Sequence, residues 1–230
     1  MNGTVRLVGS VPEAFATLAA GAITAAPRGC TLFLSGGGTA VECYEALAAR
    51  RGVDWSAVDV FLGDERCVPP DDPDSNHRMV VGTLLDAVGP VRSDHPMYLG
   101  GSPVEAAAAY QALIAPLPDL GLVHLGLGPD GHTASLFPGS DALDDTDPSH
   151  LVVANRDPNG VNRHDRLTLT YAAISRARQV VFTVSGASKR DALARIAAGE
   201  DLPAARVAGP DVLWLVDAAA LGDVTPDRAG

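Results

Sequence analysis

Residues 30–51 read CTLFLSGGGTAVECYEALAARR. The opening Cys-Thr-Leu-Phe-Leu run is apolar without strict alternation, and the Ala/Leu-rich second half repeats its apolar positions at helical spacing. Between them stand Ser35 and three consecutive glycines, Gly36, Gly37 and Gly38, before Thr39 opens the helix. A strand that is apolar on both faces and runs through a glycine turn into a helix belongs in a parallel sheet covered by helices on both sides. This unit predicts a doubly wound α/β fold, with a mostly parallel, Rossmann-like sheet in a three-layer α/β/α arrangement.

The flanking sequence repeats the theme. TVRLVG, VDVFLG, LVHLGLG, LVVAN, RLTLTY, VVFTVS and VLWLVD read as strands, and helical patterns cover 12–26, 76–88, 103–115 and 188–198 in addition to 39–51. RLTLTY alternates more regularly than the others, which predicts a half-exposed edge strand. The Asp/Pro-rich stretches 69–74 and 141–149 read as surface loops. At 230 residues and 47% hydrophobic, the chain can bury one good core, and a single domain over 1–230 is expected.

Composition narrows the partners. Seventeen basic against 28 acidic residues leave a formal charge of −11, which disfavours nucleic acid or an anionic membrane. The N-terminal segment has no basic region ahead of an apolar core, and Gly21 and Pro27 interrupt its only long apolar stretch. No run approaches the ~18 apolar residues of a membrane span, so a soluble, cytoplasmic protein is expected. Cys30, Cys43 and Cys67 form no C-x-x-C and read as reduced thiols. Neither H-E-x-x-H nor a Cys/His ligand cluster occurs, so no metal is expected, and the lack of G-x-S-x-G disfavours a serine nucleophile.

In an open α/β sheet, ligands gather beyond the carboxyl ends of the strands, and four such places carry chemistry. After the first glycine-rich strand, Gly36, Gly37 and Gly38 let backbone N–H groups converge on an anion at a helix N-terminus. No Lys-Ser/Thr follows, which argues against a nucleoside triphosphate. The same glycines could instead serve only a tight turn.

VDVFLG runs into Asp64, Glu65 and Arg66, where Arg66 offers a planar donor fork; a solvated turn is the competing reading. The stretch GLGPDGHTASLFPG at 126–139 contains a literal G-x-G-x-x-G, but Pro129 lies inside it and Pro138-Gly139 allows at most a short helix. A dinucleotide fingerprint is therefore disfavoured. The alternative is a rigid platform for Asp130 and His132, with His132 able to exchange a proton near neutral pH, unless Asp130 merely caps the short helix. His124 reads as a hydrogen-bonded strand histidine. Lastly, Ser185-Gly186-Ala187-Ser188 leads to Lys189, the sole lysine of the chain, and Arg163, His164 and Arg166 add positive charge before RLTLTY.

Together LSGGGTA, GDERCVP, SNHRM, GLGPDGHTASLFPGS, RLTLT and VSGASK resemble, in order, the 6-phosphogluconolactonase family of the pentose phosphate pathway, within the glucosamine-6-phosphate isomerase superfamily. The resemblance implies a phosphate-facing loop of Gly36, Gly37, Gly38 and Thr39, with Lys189 and either Arg166 or Arg163 at the same phosphate. It implies that Arg66 and His132 flank the lactone, supported by Asp130, with Asp64 among the substrate-binding groups. Sister deaminases carry Asp-Glu-Tyr where this chain has Asp64-Glu65-Arg66, and a glutamate where it has Leu136-Phe137-Pro138. The implied function is hydrolysis of a phosphorylated sugar lactone without a cofactor, with no nucleic acid or membrane partner and a monomer as one admissible state. The rivals are a deaminase or isomerase on the same scaffold and a non-catalytic sugar-phosphate sensor.

Overall fold

The computed structural model describes residues 1–26 and 29–226. The described residues form ten strands, most of them separated by helical segments: β1 (Thr4–Leu7), β2 (Cys30–Leu34), β3 (Val58–Leu62), β4 (Asp64–Arg66), β5 (Ser93–Asp94), β6 (Leu122–Gly126), β7 (Val152–Asn155), β8 (Arg166–Leu169), β9 (Gln179–Val184) and β10 (Val212–Val216). The longer helices are α1 (Val11–Ala25), α2 (Gly38–Ala48), α5 (Pro103–Ile114) and α7 (Arg190–Ala197), joined by the short α3 (Asn76–Val80), α4 (Asp86–Val88), α6 (Tyr171–Ile174), α8 (Pro203–Arg206) and α9 (Ala218–Leu221). Ser10 starts α1 by accepting from Glu13 N–H, with Pro12 in the first turn, where its missing N–H costs nothing.

Seven strands form one parallel sheet in the order β1-β10-β9-β6-β2-β3-β5, between helical layers. Its central strands are largely buried on both faces, as their mostly apolar, non-alternating sequences require. Aromatic pairs fall in register across neighbouring strands: Phe33 stacks on Phe61 at 4.8 Å, and Phe182 on Trp214 at 3.7 Å. Among the described residues, no helix is long and apolar enough to cross a membrane.

Four features differ from the sequence reading. A second, antiparallel sheet of order β4-β8-β7 lies beside the first. RLTLTY supplies its middle strand, β8, whose four residues are all buried rather than at a half-exposed edge, and Tyr171 already belongs to α6. The alternation misleads because the threonines are satisfied internally; Thr168 Oγ1, for example, accepts from the N–H of Ser135 at 3.1 Å. The expected helix 76–88 is interrupted by a π turn over Val81–Leu85, and 188–198 begins as a 3₁₀ turn at Ala187–Lys189 before α7.

Candidate active site

The strand order reverses between β2 and β6. From β2 the chain moves outward to β3 and β5, and from β6 it moves the other way to β9 and β10. Such a switch point opens a crevice at the carboxyl ends of the two strands. A cavity of about 180 Å³ occupies it. Gly36, Gly37, Asp64, Arg66, His132, Arg166 and Lys189, from five separate stretches of chain, line this one cavity. Gly38 and Thr39 line a neighbouring cavity of about 90 Å³, which shares Ser35, Gly36, Gly37 and Lys189 with the first.

Asp130 stands behind His132. Its Oδ1 lies 2.6 Å from Nδ1 of the imidazole and also accepts the His132 N–H at 3.2 Å. Burial pushes the Asp130 carboxyl up, but the hydrogen bonds and charge of His132 outweigh it and hold the group below the usual carboxylate range. An ionised Asp130 draws the proton to Nδ1 and leaves Nε2 as the basic nitrogen. Gly128 permits this arrangement, because a Cβ there would lie 2.1 Å from His132 Nδ1.

The expected short helix after Gly131 is absent. Instead the chain doubles back in a tight turn, Leu136 N–H donating to Thr133 C=O at 2.9 Å. Ala134, inside that turn and on the cavity wall, has φ 46°, a conformation that ends any helix and is uncommon outside glycine.

The three charges of Asp64-Glu65-Arg66 divide by strand alternation. Asp64 and Arg66 face the cavity, and Asp64 Oδ2 accepts from Ser135 Oγ at 2.6 Å. Glu65 points away and is only 2% exposed. Its carboxylate accepts from the N–H groups of Arg66, Asn76 and His77 at 2.7–2.8 Å and from Ser75 Oγ at 3.1 Å. Burial pushes this carboxyl up, against the pull of those backbone donors. Glu65 thus anchors the start of α3, and through it Asn76. The Asn76 amide donates to Asp64 O at 2.9 Å and lies where a Gly36 Cβ would come within 2.0 Å of its Oδ1.

Arg66 and Arg166 are directly opposite one another in the β4–β8 ladder, so their side chains leave the same face. Like charges in that position repel. Both guanidinium groups have a buried Nε with no hydrogen-bond partner, and burial lowers the Arg166 pKa. Lys189 likewise has no hydrogen-bond or ion-pair partner among the described residues, and burial pushes its ammonium down. Arg163, by contrast, is 77% exposed at its side chain and pairs with Asp74 outside the cavity, so Arg166 is the cation of this pair that reaches the site.

Asn76, Thr133, Ser135 and Asn162 also line the cavity and were not among the residues chosen from sequence. SNHRM contains Asn76, yet nothing local marks its role. Asn162 is held by Asp157, whose Oδ2 accepts from both its N–H and its amide at 2.9 Å. Its stretch stands out in the sequence only for the positive charge of Arg163, His164 and Arg166 that follow it. Among the described residues, no group of three or more His, Cys, Asp or Glu side chains is arranged to hold a metal ion.

Residues 4–214 match the model of the glucosamine-6-phosphate isomerase/6-phosphogluconolactonase family. A 6-phosphogluconolactonase of Nostoc sp. is 42% identical over 205 residues, covering 83% of this chain and 82% of the relative. One of Mycobacterium leprae is 37% identical over 229 residues, covering 92% and 91%. The crystal structure of the Thermotoga maritima 6-phosphogluconolactonase superposes with a TM-score of 0.80 at 29% identity, covering 93% of this chain and 97% of that one. With the motifs, the parallel sheet and the switch-point cavity all in agreement, this chain belongs to the glucosamine-6-phosphate isomerase/6-phosphogluconolactonase family.

Proposed function

We propose that this chain hydrolyses 6-phospho-D-glucono-1,5-lactone to 6-phosphogluconate by direct attack of water. The observation that carries the reading is His132, backed by Asp130, in one cavity with Arg66, Arg166 and Lys189, the arginine Nε atoms and the lysine ammonium having no hydrogen-bond or ion-pair partner among the described residues. Three cations with no direct ion pair to a carboxylate among the described residues suit a doubly charged phosphate and a developing oxyanion. Phe137, and no carboxylate, lines the cavity after His132, which supports ester hydrolysis over amine chemistry. The names of the relatives support the same reaction.

In this mechanism Nε2 of His132 takes a proton from water as its oxygen bonds to the lactone carbonyl carbon. The carbonyl electrons move onto oxygen, where Arg66 stabilises the tetrahedral oxyanion or fixes a neighbouring hydroxyl. Collapse breaks the bond to the ring oxygen, which receives the proton back from His132, and the new carboxylic acid ionises in solvent. Lys189, Arg166 and the N–H groups around Gly36 and Gly37 hold the phosphate, so binding energy remote from the ester orients the carbonyl. Asp64 and Asn76 are assigned to the sugar hydroxyls. The proposal carries a cytoplasmic, metal-independent enzyme, as the charge and motif arguments imply.

The test is the disappearance of freshly generated lactone over its spontaneous background. Wild type should accelerate it, and His132→Ala should lose about 10²–10⁴-fold in kcat while remaining folded. Undiminished turnover in that variant would remove His132 from the mechanism. Failure of the wild type, with ammonia released from glucosamine 6-phosphate, would replace the reaction itself.

A further inference from the structure

The β2–β6 ladder pairs only Leu32 with Leu122 and Phe33 with Val123. Past that point the two strands part to form the crevice, and β2 continues to pair with its other neighbour, Leu34 C=O accepting from Gly63 N–H at 2.8 Å. Within a strand, the N–H and C=O of one residue point to the same side and alternate along the chain. Ser35 therefore directs both its backbone groups toward the opened side, where no strand is left to receive them. Both would be buried and unsatisfied, a costly state.

A tyrosine fills the gap. Tyr44 reaches back from α2 and places its Oη 2.7 Å from Ser35 N and 2.9 Å from Ser35 O. The same Oη lies 2.8 Å from Nδ1 of His124 on β6, whose Nε2 is 2.8 Å from Thr183 Oγ1 on β9. With His124 neutral, only one assignment of protons satisfies all four contacts. Tyr44 has a single proton, which goes to Ser35 C=O; its two lone pairs accept from Ser35 N–H and His124 Nδ1–H. Nε2 of His124 then accepts from the Thr183 hydroxyl.

His124 is wholly buried, with Phe15 packed 4.2 Å from its ring. It is consequently neutral, and burial likewise keeps the Tyr44 phenol protonated. The chain of bonds runs from β9 through β6 to the first residue of the loop that lines the cavity.

We propose that Thr183, His124 and Tyr44 are positioning residues: they lock Ser35 across the open side of the sheet and thereby fix the Ser35-Gly36-Gly37 backbone in its anion-binding orientation. The claim rests on the phosphate role assigned to that loop. It gives Tyr44, which lines neither cavity, and His124, which with Thr183 lines only the smaller one, a specific effect on phosphate affinity.

The experiment compares wild type, Tyr44→Phe and Thr183→Val on the phosphorylated lactone and on glucono-1,5-lactone, with inorganic phosphate and 6-phosphogluconate binding measured by calorimetry. Tyr44→Phe should raise KM for the phosphorylated lactone and weaken binding of both anions about tenfold, with kcat changed less than about twofold. KM for the phosphate-free lactone should stay the same. Thr183→Val should shift the same quantities in the same direction by less, and it carries the test if Tyr44→Phe does not fold. Unchanged anion binding, or equal losses on both lactones from a lowered folded fraction, would overturn the positioning role. If wild type fails to turn over either lactone, the lactonase reading falls, while phosphate binding by the variants still decides the claim about the loop.

Discussion

His132 and Lys189 show how one side chain can be assigned chemistry from what surrounds it. Nδ1 of His132 is committed to an ionised Asp130 at 2.6 Å, so the proton-accepting capacity of the ring is confined to Nε2. Lys189 has the opposite character, a half-buried ammonium with no partner among the described residues and a position on both cavities. A cation paired with a carboxylate would gain little from a phosphate; an unpaired one gains a charge-assisted bond. Lys189→Ala should therefore raise KM for the phosphorylated lactone at least about tenfold and leave the phosphate-free lactone nearly unaffected in steady-state assays. Equal losses on both substrates would place the lysine elsewhere in the mechanism.

At the level of elements, the loop between β2 and α2 works because of what crowds it. Gly37 adopts φ 101°, which L side chains rarely do, and Gly36 packs against the Asn76 amide. That amide is set by α3, which Glu65 anchors through backbone N–H groups. The site therefore depends on a buried carboxylate that never faces it. Gly36→Ala should push Asn76 or the loop aside, since its Cβ would fall 2.0 Å from Oδ1. The expected result is a loss of about 1–3 kcal/mol in unfolding free energy by urea titration, together with weakened 6-phosphogluconate binding. A variant with wild-type stability and binding would show that this contact is not tight.

Over the whole molecule, the buried His124 couples stability to pH. Burial pushes its pKa down to about 3, from 6.5 in the unfolded chain, and the groups around it, Phe15, Tyr44 and Thr183, carry no charge to offset protonation. Because the folded pKa is depressed, the unfolded state binds more protons between these values. The contribution is complete above about pH 6.5 and falls by roughly 1.4 kcal/mol per pH unit below it, from this group alone. His77 has the opposite sign: Asp94 raises its pKa, so its contribution is present below the unfolded value and fades as pH rises through the folded one. Unfolding titrations from pH 7 to 4.5 should thus show falling stability, with a shallower slope in His124→Gln. An equal slope in the variant would mean that other groups govern the acid limb.

The runs of unalternated apolar residues were enough to determine the parallel sheet, because a strand covered on both faces has no polar side to display. Glycines followed by a helix marked the loop between β2 and α2, and the order of six motifs marked the family, for these are local patterns read along the chain. Pairings between distant stretches were decided only in three dimensions. Arg66 and Arg166 become neighbours through the register of β4 on β8, and RLTLTY becomes a buried middle strand because its threonines find partners outside their own stretch. Asn76 and Asn162 owe their places to carboxylates that hold them, Glu65 and Asp157. Tyr44 and His124 belong to the same class: their task arises where two strands diverge, and the geometry of that opening is a property of the assembled sheet.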